Sequence, residues 1–298
     1  MNRNTHCGYC AFISVPNTGK STLLNAILGQ KISITSHKPQ TTRHRITGIK
    51  TTDTVQTIYV DTPGLHKQQR QCLNRSMNRA ALYAIDMVDV IGFIVEAGRW
   101  RASDQAVLDR LHECTVPVIL IVNKVDQLAQ QAELIPWLDT YARKMDFAAV
   151  VPISALKNTN VSALEEVIAQ HLPEEDFLYP REHKITYLSD TFLASELIRE
   201  KLMRNLHQEL PYHLTVEIET FQKKGTVLHI SAVIWVERPG QKAIVIGKKG
   251  AQLKRVGQDA RLAMERLFQS RVFLNVWVKV KADWSNDEAS LMRFGYLD

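Results

Sequence analysis

The chain of 298 residues lacks the features that mark secreted and membrane-embedded proteins. No apolar run reaches the roughly 20 residues that a membrane-spanning helix needs, and the N-terminus carries no apolar signal core. Cysteine is scarce, with four in all, so a disulfide framework is not expected. We therefore expect a protein of the cytoplasm.

The cysteines also offer little for metal or redox chemistry. Cys7 and Cys10 have the spacing of a zinc or redox pair, but no matching second pair follows. We expect Cys10 to pack inside the first strand instead. The remaining composition, with 45% apolar and 23% charged residues, is ordinary for a globular protein, and the length allows two domains with a large core.

Charge is shared unevenly along the chain. Residues 1–180 carry 18 Lys+Arg against 17 Asp+Glu, whereas residues 181–298 carry 19 against 14. The basic excess therefore lies in the second region, which suggests an anionic partner there.

One four-residue motif indicates which nucleotide base the protein recognises. Asn123, Lys124, Val125 and Asp126 directly follow the apolar run 118–122. A carboxylate at the end of a buried strand accepts hydrogen bonds from N1–H and the exocyclic amine of guanine, whereas adenine would leave it unpaired at a large cost. Alone, the motif could equally be an ordinary strand followed by a polar turn.

A phosphate-binding loop is predicted at residues 14–21, between a strand at 9–13 and a helix at 21–28. Backbone N–H groups of such a loop face phosphates, Lys20 reaches the β and γ oxygens, and the Ser21 hydroxyl ligates Mg²⁺. The pattern begins with glycine, but Ser14 stands there. If the backbone requires an unfavourable φ, the side chain costs about 1 kcal/mol, so we expect weakened rather than abolished binding.

Three further elements follow in order. Asp61 would complete the Mg²⁺ shell, and the Gly64 N–H would sense the γ-phosphate. Thr42, or Thr41, could close over Mg²⁺ when GTP is bound. The Ala155 N–H could meet the guanine O6. Each element is weak singly, but all lie at or just after the carboxyl ends of predicted strands, where ligands bind in open α/β sheets.

These elements give one predicted nucleotide site. The GTP-binding set is Asn17, Thr18, Gly19, Lys20, Ser21, Thr22, Asp61, Thr62, Pro63, Gly64, Asn123, Lys124, Asp126, Ser154 and Ala155. The first switch loop comprises Gln40, Thr41, Thr42 and Arg43, and the Mg²⁺ ligands are Ser21, Thr42 and Asp61.

Periodicity predicts how the chain is organised. Strands at 55–60, 88–96, 117–122 and 148–153 alternate with helices at 103–113, 131–144 and 161–171, which indicates a mostly parallel sheet with helices on both faces, an α/β P-loop NTPase fold. We expect the GTP-binding domain at 1–173, a linker at 174–189 and a smaller α+β region at 190–298.

The second region predicts an RNA-binding module. Its order is a helix at 190–205, strands at 213–220 and 227–237, an apolar stretch at 243–246, a Gly-Lys-Lys-Gly turn, a helix at 251–268 and a strand at 272–280. This matches a type II KH domain, at about 204–282, in which a Gly-x-x-Gly turn clamps about four nucleotides. The predicted RNA-binding residues are Gly247, Lys248, Lys249, Gly250 and Lys254. The alternative is a basic helix-capping turn on a solvated face.

Over nearly its whole length the chain resembles the Era family of bacterial GTPases. The resemblance includes residues 29–36, 40–45, 59–66, 210–212 and 277–281, and the chain departs from the family pattern at Ser14, usually glycine, and Thr18, usually valine. It implies a monomeric GTPase that binds GTP, GDP and Mg²⁺, binds the 3′ end of 16S rRNA through its KH domain, and acts in assembly of the 30S subunit. It also implies peripheral association with the cytoplasmic face of the inner membrane.

Hydrolysis is expected to be slow. Small GTPases orient the attacking water with a glutamine just after the Asp-x-x-Gly motif, but Leu65 stands there and His66 is a nearby loop residue. Asn17, with backbone carbonyls of the loop that carries Thr41, could instead ligate a K⁺ beside the phosphates.

Three alternatives remain open from sequence. They are an ATP-dependent enzyme, an RNA-binding protein whose nucleotide domain no longer hydrolyses GTP, and a related GTPase that modifies tRNA. Asp126 disfavours the first, Ser14 keeps the second open, and the third lacks a further catalytic residue or cofactor site.

Overall fold

The computed structural model describes residues 5–36, 38, 41–64, 72–181, 185–207 and 209–297. It divides into two compact units. The first comprises Met1–Ser33, Thr42–Gln68 and Met77–Tyr187, and the second comprises Ile34–Thr41, Gln69–Ser76 and Leu188–Asp298. Two short segments, Ile34–Thr41 and Gln69–Ser76, therefore belong to the second unit although they come early in the sequence. A single cut in the sequence cannot separate the two units.

The first unit is built on a six-stranded sheet of order β2-β3-β1-β4-β5-β6. Its strands are β1 (His6–Ile13), β2 (Ile46–Thr51), β3 (Val55–Asp61), β4 (Val90–Glu96), β5 (Val118–Asn123) and β6 (Ala149–Pro152). All neighbours run parallel except β2, which is antiparallel to β3. The predicted mostly parallel sheet is thus confirmed.

Among the residues that the structure describes up to position 181, the α-helices are α1 (Lys20–Leu28), α2 (Cys72–Asp86), α3 (Ala102–Leu111), α4 (Leu134–Ala142) and α5 (Val161–Gln170). The central strands are buried on both faces, as their near-continuous apolar sequences require. Ile13, Phe93 and Leu120 from the sheet pack with Leu108 of α3. Cys10 is fully buried in β1, as expected.

Parallel strands bring their carboxyl ends to one edge of the sheet. β1, β3 and β5 end at Ile13, Asp61 and Asn123, immediately before or within the three main nucleotide motifs. Ile13 and Asn123, which are 110 positions apart in the sequence, therefore lie at the same edge because of the direction and order of the strands.

The second unit contains α6 (Asp190–Asn205), β7 (Leu214–Lys224), β8 (Val227–Val236), α7 (Pro239–Ile246), α8 (Ala251–Phe268), β9 (Arg271–Val280) and α9 (Glu288–Arg293). β7 and β8 are antiparallel, and β8 and β9 are parallel. Leu197 and Leu202 of α6 pack with Ile230, Val256 and Val278 in one apolar core. The order of elements from α6 to β9 is the one that the sequence predicts.

None of the helices within the described ranges is long and apolar enough to cross a membrane.

Candidate nucleotide site and RNA interface

The phosphate-binding loop joins β1 to α1. Gly19 has φ 105°, and a Cβ placed on it would lie 2.3 Å from Asn123 Nδ2. Only glycine fits, because both the positive φ and the close amide exclude a side chain. Asn123 Nδ2 donates to the Thr18 carbonyl at 2.8 Å, so the guanine-motif asparagine also holds the phosphate loop.

Ser14, the departure from the usual glycine, lies in this loop without strain. It is buried and is not among the described residues with positive φ, so the expected strain penalty does not arise. Its hydroxyl accepts a hydrogen bond from Lys20 Nζ at 2.8 Å, lies 2.5 Å from Thr18 Oγ1 and donates to the Val15 carbonyl at 2.8 Å. The two unusual residues, Ser14 and Thr18, are therefore partners.

The candidate Mg²⁺ ligands converge. Asp61 Oδ2 accepts hydrogen bonds from Ser21 at 2.8 Å, from Ser33 at 2.9 Å and from Thr42 at 3.4 Å, and the Ser21 and Thr42 hydroxyls lie 2.7 Å apart. The other carboxylate oxygen, Oδ1, is buried and has no hydrogen-bond partner among the described residues. A buried carboxylate oxygen beside two hydroxyls is an oxygen-only donor set that fits a hard divalent cation.

Burial shifts the ionisation of both charges in this cluster. Burial raises the pKa of the Asp61 carboxyl, and the Lys20 ammonium acts in the opposite direction. Burial also lowers the pKa of Lys20 to about 8, although the negative charge of Asp61 acts to raise it. The site thus holds one cation and one anion in a dry environment, where a phosphate or metal ion would interact strongly.

The two threonines of the first switch loop have different surroundings. Thr42 Oγ1 is buried beside Ser21 and Asp61, whereas Thr41 Oγ1 donates to the Lys38 carbonyl at 2.6 Å. The Thr41 carbonyl accepts a hydrogen bond from Arg199. A carbonyl that faces a guanidinium is a poor cation ligand, so the Thr41 carbonyl itself is not favoured among the loop carbonyls of the predicted K⁺ site, and that site stays a prediction. Arg43 is buried, and Gln40 lies outside the described residues.

The Asp-Thr-Pro-Gly turn lies against the phosphate loop. The Thr62 hydroxyl donates to the Phe12 carbonyl at 3.1 Å, and a Cβ on Gly64 would lie 3.0 Å from the Pro16 nitrogen. The buried Pro63 completes the turn. The Gly64 backbone therefore lies close to the loop, and the contact of its N–H with the terminal phosphate stays a prediction. Leu65 and His66 lie outside the described residues.

At the guanine end, Asn123 Oδ1 accepts hydrogen bonds from the N–H groups of Lys124 at 2.8 Å and of Ala155 at 3.0 Å. The Ala155 N–H is therefore already engaged, and its contact with guanine O6 stays a prediction. Lys124 has φ 64°, and its ammonium pairs with Glu96 at 3.1 Å. Burial lowers the pKa of Lys124.

Asp126 is not enclosed by the buried strand that precedes it. Asp126 lies past the end of β5, in the single-turn 3-10 helix Val125–Gln127, and its side chain is exposed. The turn carries the carboxylate out of the sheet, where the Ser154 hydroxyl donates to its Oδ1 at 2.5 Å. The carboxylate is thus oriented by a hydrogen bond rather than by burial.

Two other predicted residues lie at the edge of the site. Asn17 is exposed with φ 69°, and Thr22 lies half-buried in the first turn of α1. Sequence reasoning missed the roles of Ser33 and Glu96. Ser33 is held by Asn25, whose side chain bonds its backbone N–H at 3.0 Å and its carbonyl at 2.7 Å. The only sequence signal for Ser33 is its place in the segment 29–36 that resembles the family.

The Gly-Lys-Lys-Gly turn joins α7 to α8. Gly247 has φ 72° and ψ 174°, and a Cβ on it would lie 2.6 Å from Gln252 Cβ. Lys248, Lys249 and Lys254 are all exposed. The backbone is therefore tightly turned and uncovered while the cations face solvent, an arrangement that suits a nucleic-acid backbone. Gly247 is also the C-cap of α7, so this glycine fits both an RNA-binding turn and the alternative, a helix-capping turn.

Comparison with known proteins agrees with this geometry. Residues 9–124 match the family model of the 50S ribosome-binding GTPase, and residues 209–285 match that of the KH domain. The chain is 56% identical to GTPase Era of Pseudomonas putida over 297 residues, which is 100% of this chain and 99% of that protein. It is 56% identical to GTPase Era of Azotobacter vinelandii over 292 residues, 98% and 97% of the two proteins.

Two solved structures share the fold over 99% of this chain and 100% of theirs, with a TM-score of 0.94 and 36% identity. One is a variant of Aquifex aeolicus Era bound to GDP and AlF4⁻. The other is Era in complex with MgGDPNP and nucleotides 1506–1542 of 16S ribosomal RNA. With a P-loop GTPase fold, a KH domain and full-length relatives at this identity, the chain belongs to the Era family of GTPases.

Proposed function

We propose that this GTPase binds GTP and GDP with Mg²⁺, binds the 3′ end of 16S rRNA through its KH domain, and acts in assembly of the 30S subunit and maturation of its rRNA. The observation that carries the proposal is a full-length relative of the same fold in complex with both MgGDPNP and a 16S rRNA fragment. The chain's own nucleotide cluster and lysine turn supply the matching chemistry. Its domains are proposed at 1–173 and 190–298, with a linker between them.

Mg²⁺ would be held by Ser21, Thr42 and Asp61, whose side chains meet at 2.7–3.4 Å in the cluster described above. The ion would offset charge on the β- and γ-phosphates. The unpartnered Asp61 Oδ1 supports this assignment, because a buried carboxylate oxygen is costly to leave unsatisfied.

The phosphates would be held by the loop itself. Lys20 has three N–H donors, one of which goes to Ser14, so two remain for phosphate oxygens. Gly64 would donate its N–H to the γ-phosphate, and Asp126 would accept from guanine N1–H and its exocyclic amine. Ala155 would contribute at the guanine O6.

Turnover is proposed to be slow, because Leu65 cannot hydrogen-bond the attacking water. A K⁺ held by Asn17 would offset the charge that develops between the β- and γ-phosphates. The test compares hydrolysis in KCl and NaCl at equal ionic strength. We expect faster turnover in KCl and loss of that difference in Asn17→Ala, and equal wild-type rates in the two salts would remove K⁺ from the proposal.

RNA would be held by Gly247, Lys248, Lys249, Gly250 and Lys254. The exposed lysines would neutralise phosphates, and the glycines would let the strand approach the backbone. The basic excess of residues 181–298 supports this half of the proposal.

We further propose a monomer in the cytoplasm, with part of the protein bound peripherally to the inner membrane. Sedimentation of the purified chain tests the monomer. Fractionation of cells, followed by sedimentation of ribosomal particles, tests the 30S subunit and the membrane as separate partners.

The main experiment tests whether Asp126 selects guanine. Asp126→Asn exchanges an acceptor for a donor, so the variant should lose affinity for GTP and gain affinity for xanthosine triphosphate. The ratio of the two affinities should change by roughly 100-fold or more relative to the wild type. Asp139→Asn, on the exposed face of α4, is the matched control. If Asp126→Asn keeps the wild-type preference, the assigned guanine site is wrong.

A further inference from the structure

The three-stranded sheet of the second unit has an outer face, opposite its helices. Along β8 and β9, alternate residues pack with α6 and α8 in the apolar core, among them Ile230, Val272 and Val278. Successive residues of a strand point to opposite sides of the sheet. The residues between these core residues therefore point away from the helices and form the outer face.

Aromatic residues that follow β9 cover one part of this outer face. The Tyr296 hydroxyl lies 2.9 Å from the Thr215 hydroxyl, and the Phe294 ring lies 6.2 Å from the Trp235 ring. Trp284 is fully buried and meets Phe294 edge-on at 5.7 Å. The outer face is thus closed at the start of β7 and the end of β8 by the chain itself.

Two large rings stay exposed on the other part of the face. Phe273 is 50% exposed and Trp277 is 47% exposed, and both belong to the outer side of β9. The His229 ring of β8 lies 5.2 Å from the Phe273 ring, and the two residues are partners in the strand register. Single apolar residues are ordinary on a protein surface, but three rings on two neighbouring strands form a cluster that calls for a partner.

Polar side chains without charge lie between and beside these rings. Two rows of the strand register cross this part of the sheet: Gln222, His229 and Phe273, and next to them Thr220, Ser231 and Asn275. We call these six residues, together with Trp277, the aromatic face. None of the seven is a carboxylate, so the aromatic face offers rings, amides and hydroxyls to a partner.

The charges around the aromatic face favour an anionic partner. Arg271 is exposed at the start of β9. The two acidic residues of β7 are both paired, Glu217 with Arg293 at 2.9 Å and Glu219 with Lys279 at 2.8 Å. An anion that approaches the aromatic face therefore meets a cation beside it and carboxylates whose charge is already offset.

These side-chain types are the ones that recognise unpaired RNA bases. Rings on a sheet stack bases, and amides and hydroxyls hydrogen-bond the base edges. Phe273 and Trp277 are four residues apart on one strand, about 13 Å, whereas neighbouring bases of a duplex lie about 3.4 Å apart. The two rings therefore suit bases that are separated from each other, as in a single strand. An apolar protein surface would leave the amides and hydroxyls unpaired at a cost, which favours RNA over a protein.

We propose that the aromatic face is a second RNA-binding surface of the KH domain, which stacks unpaired bases on Phe273 and Trp277, in addition to the nucleotides held by the Gly-Lys-Lys-Gly turn. The inference rests on the proposed binding of 16S rRNA. A turn of this kind holds about four nucleotides, whereas the fragment in the relative's complex spans nucleotides 1506–1542. Two surfaces that engage one strand bind it more tightly than either surface alone, because the second contact is intramolecular.

The first experiment uses a series of RNAs that all end at nucleotide 1542, from the full 1506–1542 fragment down to the shortest RNA that still binds the full-length protein. Phe273→Leu and Trp277→Leu keep an apolar side chain but lose the flat ring. Each should lower the affinity for the full fragment about fivefold or more and leave the affinity for the shortest RNA unchanged. Phe273→Trp should bind like the wild type, and so should the control Leu262→Ala, an exposed apolar residue of α8.

The second experiment separates stacking from charge and from folding. Because stacking releases no counterions, Phe273→Leu and Trp277→Leu should bind the full fragment more weakly with an unchanged slope of log K against log salt. Loss of turn lysines should reduce that slope instead. Unfolding in urea should match the wild type, since substitutions of exposed side chains cost little stability.

The inference is overturned if both leucine variants bind every RNA of the series as the wild type does, and a protein-docking surface then explains the exposed rings. It is also overturned if the variants weaken the shortest and the full RNA by the same factor, because the rings would then act at the turn. If the wild type binds none of these RNAs, the proposed function fails and the inference fails with it, so the two failures are distinguishable.

Discussion

The nucleotide site and the RNA turn use charge in opposite ways. In the first unit, Lys20 and Asp61 are buried, bonded to neighbouring side chains and shifted in pKa by burial. In the second unit, Lys248 and Lys249 are exposed, and the part that is tightly packed is the backbone at Gly247. The first site consists of buried, hydrogen-bonded side chains, whereas the second consists of a tight backbone turn with exposed lysine side chains.

The difference predicts how each site tolerates change. Substitutions in the buried cluster alter hydrogen bonds among its own members, so they affect both stability and binding. Lysines of the turn can change without effect on folding, because surface substitutions cost little stability. Four substitutions test this contrast.

The largest effect is expected from Lys20→Met, which removes the donors for two phosphate oxygens. We expect GTP and GDP affinity to fall roughly 100-fold or more, with RNA affinity in the absence of nucleotide unchanged. Stability in urea should also fall, because buried Asp61 loses its cationic neighbour and the Ser14 hydroxyl loses its donor. The matched control is Lys50→Met on β2, which removes an ion pair with Glu165 of α5. GTP binding within a few fold of wild type would show that Lys20 does not hold the phosphates.

A smaller effect is expected from the double variant Lys248→Ala and Lys249→Ala. Loss of two phosphate contacts should lower RNA affinity about tenfold or more at low salt and reduce the slope of log K against log salt by roughly 1.4. GDP affinity and stability should stay unchanged. The double variant Lys223→Ala and Lys224→Ala, at the end of β7, controls for net charge. An unaltered salt slope would remove these lysines from the RNA contact.

The third test separates backbone shape from charge. Gly247→Ala forces a side chain into a φ and ψ region that is almost restricted to glycine and against Gln252, so it should lower stability by roughly 2 kcal/mol or more. Gly250→Ala at φ 78° meets open space, so it should cost only about 1 kcal/mol. Equal losses of unfolding free energy, or equal losses of RNA affinity, would contradict the role assigned to Gly247.

The smallest effect is expected from Ser14→Gly. Ser14 shows no backbone strain, so glycine relieves none, but Lys20 regains a third donor for phosphates. GDP should bind at least as tightly, by up to roughly tenfold, as measured by titration. Thr18→Val and the double variant complete a cycle that gives the coupling of the two hydroxyls. Weaker binding by Ser14→Gly would show that the Ser14 hydroxyl supports Lys20 rather than competing for it.

Much of the fold could be predicted from sequence where the pattern was periodic. Helices at 190–205 and 251–268 match α6 and α8, and the buried strands were predicted to within a few residues. β2, α2 and α9 were missed. β2 alternates weakly and is antiparallel to its neighbour, and α9 is only six residues long, so neither gives a strong periodic signal.

The nucleotide-site residues were predicted from sequence motifs, and the structure changed part of that prediction. Ser21, Asp61 and Thr42 do meet, whereas Asp126 is exposed because a 3-10 turn carries it beyond the end of the buried strand. Ser33 and Glu96 contribute hydrogen bonds that no motif predicts. Such partners are set by the spatial neighbourhood of a loop, which local sequence does not encode.

The sequence by itself determined the family, the parallel sheet, the guanine and phosphate motifs and the KH order, because each depends on local residue types at fixed spacing. Only the tertiary structure decided that Ser14 and Thr18 are partners, that Thr42 rather than Thr41 lies beside Asp61, and that Ile34–Thr41 is fastened to α6. The last two facts depend on contacts between residues farther apart in the chain, 19 positions for Thr42 and Asp61 and 169 for Thr35 and Arg204, and packing alone brings such residues together.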